Sequence, residues 1–147
     1  MVAAEREQII ETIEEVNQFR DLGLWNRLEG HLSDTVYVDD EALTRELPGK
    51  RTAHELVNSW RRELKSYFYA TKHTVTALRI KPKNEREATA TTPTTIKYFI
   101  TDSGNRYVLT VIGTYTYNLV RRAGKWRIGE LKFDMRNQTL RQLGVTA

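Results

Sequence analysis

Between Lys72 and Arg136 the chain consists of four runs of β-branched and aromatic residues joined by short turn-forming links, and this pattern constrains the fold more than any other feature. The runs are Lys72–Lys81, Ala88–Ile100, Tyr107–Arg121 and Trp126–Arg136. The links are Asn84-Glu85-Arg86, Asp102-Ser103-Gly104-Asn105 and Ala123-Gly124-Lys125. Connections this short, bearing Gly or Asn, make consecutive antiparallel hairpins the economical reading. Pro93 lacks an N–H for a sheet ladder, so it marks an edge or a bulge. In the last run Trp126 and Ile128 share one parity, while Leu131, Phe133 and Met135 share the other. A bulge near Gly129 restores one continuous buried face.

The first half follows a different period. Ile9, Ile10, Ile13, Val16 and Phe19 recur at three- and four-residue spacing, the stripe of an amphipathic helix over residues 4–22. Gly23 is suited to the left-handed position that stops it. A shorter helix follows through Trp25, Leu28 and Leu32, then a short strand over residues 35–39. Thr52, with Glu55 three residues on, has capping-box spacing and opens a third helix carrying Leu56, Val57, Trp60 and Leu64 on one side. Helices first and a long sheet second make an α+β domain. The expectation is a single domain over residues 1–147: a cone of curved antiparallel sheet packed on three N-terminal helices, its open end a pocket.

Composition narrows the function classes. With 39% hydrophobic and 29% charged residues the chain reads as globular, and the absence of cysteine excludes disulfide and thiolate chemistry. No apolar run approaches the ~20 residues of a membrane span. The acidic, amphipathic start does not resemble a signal peptide, so a cytoplasmic location is expected. The net charge of +4 is spread in pairs such as Arg61-Arg62 and Arg121-Arg122, without the clustering of a nucleic-acid module. There is no metal-ligand spacing, no GxSxG and no phosphate-cradling Gly loop, so no metal and no cofactor are expected.

His73 is the only histidine on a predicted strand, and a neutral imidazole there can move protons near physiological pH. The competing role is a half-buried packing residue. His31 and His54 read as helical surface residues. Asp21 faces the negative end of a helix dipole, which is locally unfavourable by ~0.3–1 kcal/mol; a tertiary partner would explain its place, and the competing role is a solvent-exposed Asp without a partner. Asp39 and Asp40 are adjacent on a strand, so at most one of them enters the pocket.

These segments together resemble the nuclear transport factor 2-like superfamily, in its SnoaL-like and scytalone-dehydratase-like branches. The marks are the stretch Asp21 to Leu28, Val36-Tyr37-Val38-Asp39-Asp40, Thr71-Lys72-His73, and Gly124-Lys125-Trp126-Arg127-Ile128. The resemblance implies the cystatin-like α+β roll, with His73 as acid/base, Asp21 orienting it, and Asp40 at the position of a catalytic tyrosine. A carboxyl in an apolar cone would have a raised pKa and could serve as a second acid/base; the competing role for Asp40 is a strand-end Asp making a turn hydrogen bond. Two departures stand out: Thr92 falls nearest the place of a second histidine, and Gly113 and Tyr115 replace a polar pair. Trp25, Trp60, Tyr115 and Tyr117 are candidates for the pocket wall. The implied activity is a cofactor-independent lyase or isomerase acting on a small, largely apolar hydroxy or carbonyl compound. Alternatives are a non-catalytic ligand-binding or dimerisation module and an accessory subunit of an oxygenase. A homodimer through an apolar outer sheet face is expected, with Asp21→Asn impairing activity less than His73→Ala.

Overall fold

A computed structural model describes residues 1–145, with side chains to residue 144. Helix α1 spans Ala3–Leu22 and buries Ile9, Ile13 and Val16, the predicted stripe. Gly23 ends it at φ 71°, a left-handed conformation that costs glycine little. Helix α2 is only Trp25–Glu29, and Leu32 instead begins strand β1, Leu32–Asp39. A single turn, α3 at Glu41–Thr44, and a short strand, β2 at Gly49–Thr52, precede helix α4 at Ala53–Ser66. Thr52 caps α4 as its spacing predicts: its hydroxyl accepts from the Glu55 N–H at 3.1 Å and donates to the Glu55 carboxylate at 3.0 Å.

The sheet strands are β3 (Ala70–Val75), β4 (Arg79–Asn84), β5 (Glu87–Asp102), β6 (Asn105–Arg122) and β7 (Lys125–Val145), besides β1 and β2. Their order is β2-β1-β7-β6-β5-β3, with β4 also on β5, in a curved, unclosed sheet. The hairpins are antiparallel as expected, but β1 runs parallel to β7. The sheet is therefore mixed. Short links determine only sequential neighbours; β1 meets β7 across most of the chain, where no turn constrains direction.

Two runs change length. Residues 72–81 split into β3 and β4 around Ala77, at φ 46°. Pro93 sits on β5 where the partner changes from β4 to β3, so its missing N–H falls at a break in the ladder. Strand β7 continues past Arg136 to pair with the first half of β6. Its sequence there turns polar and leaves Leu140 62% exposed, so no apolar alternation announces it. The predicted bulge is present. Asn118 pairs with Glu130 and Leu119 with Ile128, leaving Gly129 unpaired between them. Trp126, Ile128, Leu131 and Phe133 thereby share the buried face.

Gly113 is needed where β6 passes under Phe133. A Cβ there would lie 2.5 Å from the ring's Cζ and overlap the Asp134 carbonyl oxygen. Gly113→Ala is expected to cost about 1–3 kcal/mol through overpacking; a urea midpoint within error of wild type would refute this. The outer face departs from expectation. Its cross-strand rows are Thr95–Ile112–Asn137, Pro93–Thr114–Asp134, Thr91–Thr116–Lys132 and Thr89–Asn118–Glu130. These four rows are polar and threonine-rich, with Ile112, 39% exposed, among them.

Candidate active site

Inward parity on β3 turns Thr71 and His73 toward the helices, while Lys72 and Thr74 face solvent. The last turn of α1 brings Asp21 to meet them. Asp21 Oδ1 lies 2.6 Å from His73 Nδ1 and accepts from the Thr71 hydroxyl at 3.0 Å. Its Oδ2 accepts from the His73 backbone N–H at 2.8 Å. The carboxylate that the helix dipole disfavours is thus held by three donors from a neighbouring strand.

A carboxylate can only accept, so the proton on the His73 ring sits on Nδ1 and Nε2 carries a lone pair. The ring is 2% exposed. Burial, followed by the positive charge of Arg20, pushes its pKa down to about 4 against the opposing pull of Asp21. The imidazole is neutral at ordinary pH. Its Nε2 is buried and has no hydrogen-bond partner among the described residues.

His73 lines a crevice together with Arg20, Trp25, Trp60, Glu63, Leu64, Phe68, Thr71 and Tyr98. Its free space is only about 10 Å³, room for about one water. A cavity of about 520 Å³ adjoins it, with Asp40, Leu43, Thr44, Ser59, Leu109 and Val111 in its wall. Arg20, Glu63, Phe68 and Tyr98 face both spaces and form the partition. The rings of Phe68 and Tyr98 lie 4.4 Å apart, centre to centre.

Asp40, rather than Asp39, faces the cavity. It is 4% exposed. Burial raises its pKa, although the Thr44 hydroxyl donates to it at 3.1 Å. Trp25 and Trp60 wall the crevice and are not among the residues lining the larger cavity. Tyr115 and Tyr117 do not line either space. They stack on each other at 5.3 Å, and the Tyr117 hydroxyl accepts from Asn17 Nδ2 at 3.1 Å deep in the core. Alternation along β6 reveals only that both are buried. His31 is not a surface helical residue: it follows α2, stacks on Phe19, and meets Glu15 at 2.8 Å with its side chain 17% exposed. His54 is on the surface, 75% exposed.

Arg20, Glu63, Phe68 and Tyr98 were not anticipated. The signal for the first two lies in the helical stripes. Arg20 follows Ile9, Ile13 and Val16 at the next inward position of α1, and Glu63 follows Leu56 and Trp60 on α4. A charge on an otherwise apolar stripe marks a polar site inside the fold.

With this geometry in place, the sequence matches the SnoaL-like domain over residues 1–132. The chain belongs to the SnoaL-like domain family. Many solved structures share its fold, among them the following three. Kfla4162 from Kribbella flavida has a TM-score of 0.82 at 22% identity, over 92% of this chain and 93% of that one. A hexachlorocyclohexane dehydrochlorinase, LinA type 2, has a TM-score of 0.80 at 18% identity, over 96% and 90%. A candidate scytalone dehydratase from Novosphingobium aromaticivorans has a TM-score of 0.78 at 13% identity, over 97% and 91%. At these identities the likeness concerns the fold, a scaffold that hosts many functions. No curated protein sequence matches the chain. Among the described residues no helix is long and apolar enough to cross a membrane, and no group of three His, Asp or Glu side chains is placed to hold a metal.

Proposed function

We propose that this SnoaL-like protein is a cofactor-independent lyase or isomerase that moves a proton on a small, largely apolar hydroxy or carbonyl compound. One observation carries the reading: a buried, neutral imidazole has its Nδ1 proton committed to Asp21 and its Nε2 lone pair unpartnered in a crevice. His73 Nε2 takes a proton from a carbon beside a carbonyl, and Asp21 stabilises the imidazolium that results. The proton then goes to a departing hydroxyl, giving dehydration, or to another carbon, giving isomerisation. Asp40 stands across the adjoining cavity, its carboxyl biased by burial toward the protonated form, and supplies a second proton donor. Dehydratase and dehydrochlorinase names among proteins of the same fold support elimination chemistry.

The substrate occupies the 520 Å³ cavity and reaches Nε2 when the Phe68 ring moves out of the partition. Solvent exchange tests this directly. Small β-hydroxy ketones and enolisable ketones are incubated with the protein in D₂O and followed by proton NMR. Deuterium should enter at the carbon beside the carbonyl far faster than without protein. The narrowness of the crevice favours one second reading, a ligand-holding domain without catalysis. Saturable binding of these compounds with no exchange above background would establish that reading and sink the first.

A further inference from the structure

We infer that Arg20 is the oxyanion-binding group of this site, and that the substrate is an enolisable ketone or aldehyde whose oxygen docks on its guanidinium. The inference rests on the proton-transfer reading above and names the substrate class within it.

A guanidinium on the inward stripe of α1 is costly to bury unless it is paired. Among the described residues no carboxylate lies within ion-pair distance of it. Its one hydrogen bond runs from Nη1 to the Tyr115 hydroxyl at 3.3 Å, out of five N–H donors. The Trp60 ring covers one face, 4.0 Å from the guanidinium carbon, a cation–π contact that fixes the plane without using the donors. Arg20 itself lines both spaces, and its remaining donors have no hydrogen-bond partner among the described residues.

The nearby acids do not take that place. Glu63 and Asp40 line the cavity beyond ion-pair distance, and burial pushes both carboxyls toward their neutral forms. Tyr98 and Tyr115 are likewise driven by burial to stay protonated. The cavity's third acid, Glu46, is taken by Arg51 at 2.8 Å, so Arg20 is a charged donor without a carboxylate in ion-pair contact. His73, which lines the same crevice, is close enough for this charge to be the second-largest cause of its lowered pKa.

Adjacent residues on one helical turn thus divide the work. Asp21 holds the far nitrogen of the imidazole; Arg20 faces the space into which the near nitrogen opens. When Nε2 takes the proton, the C–H electron pair forms a carbon–carbon double bond and the carbonyl π electrons move to oxygen. The new negative charge is met by a donor already in position. A compound without such an oxygen leaves the guanidinium unpaired.

Binding of 4-nitrophenol, a mimic of the enolate, tests this without turnover. Absorbance titration across pH should show that the wild-type protein binds the phenolate in preference to the phenol, so that the bound ligand ionises at lower pH than in water. Arg20→Met should weaken phenolate binding by roughly tenfold or more and remove the preference. His73→Asn should retain it, so failure of proton exchange with phenolate binding intact would count against the catalytic reading and leave the anion site standing. Preference for neutral phenol in the wild type, or equal phenolate binding by a folded Arg20→Met, would overturn the inference. Should that variant fail to fold by circular dichroism, the ¹⁵N resonances of the wild-type Arg20 side chain decide. A shift that saturates with phenolate supports the assignment, and no shift at saturation refutes it.

Discussion

His73→Ala is expected to lower turnover by about 10²–10⁴-fold, the usual contribution of a positioned acid or base. The loss of stability should stay within about 1–2 kcal/mol, because Asp21 keeps two of its three donors, the backbone N–H of residue 73 and the Thr71 hydroxyl. Asp21→Asn should be nearly as damaging, against the smaller effect expected from sequence. The backbone N–H at Oδ2 is an obligate donor, so the amide oxygen of the asparagine must occupy that position. Its NH₂ then faces His73 Nδ1, which must accept, and the ring proton moves to Nε2. The imidazole keeps its place but presents a proton where a lone pair is needed. Steady-state rates on any compound that shows exchange, with urea melts of the same variants, check both. Unchanged turnover with a large loss of stability would make His73 a packing residue.

The parts of the fold that depend on local pattern were legible. The α1 stripe, the Gly23 stop, the Thr52 cap and the Gly129 bulge each follow from spacing within a few residues. What local pattern does not carry is pairing across the chain. The parallel contact of β1 with β7 and the polar extension of β7 are driven by partners elsewhere in the sheet, whose N–H and C=O groups require pairing. The single run 72–81 hid a break for the same reason: Ala77 is an ordinary residue whose positive φ is imposed by two strands sharing one neighbour.

The pairing of Asp21 with His73 was legible where a residue was out of place chemically. A carboxylate at the wrong end of a helix pointed to Asp21, and one imidazole on a strand pointed to His73. Arg20 and Glu63 carried a similar signal but were overshadowed, because charged residues on a helix are usually read as its solvent face. The tyrosines failed for the opposite reason. Tyr115 and Tyr117 sit on the correct side of the sheet, but parity gives the face and not the depth, and both lie beneath the site rather than at its surface.

The contribution of His73 to stability should fall as pH drops from about 6.5 to about 4. In the unfolded chain the imidazole takes up a proton near its ordinary value of 6.5, whereas in the folded protein burial and Arg20 hold it neutral until about 4. Between those values the unfolded state binds the extra proton, so the equilibrium moves toward it as pH falls. Above the window neither state is protonated and His73 contributes nothing; below it the penalty is complete. Two and a half units correspond to about 3 kcal/mol. Asp40 and Glu63 act with the opposite sign. Burial raises their pKa values, so the folded state takes up their protons first and gains relative stability as pH falls. The diagnostic quantity is therefore the difference between wild type and His73→Asn, which cannot titrate there. Urea unfolding at pH 4, 5, 6 and 7 should show the wild type losing stability relative to the variant across the window. A constant difference from pH 7 to pH 4 would mean that the fold leaves the His73 imidazole with its ordinary proton affinity, so that neither burial nor Arg20 disfavours its charged form.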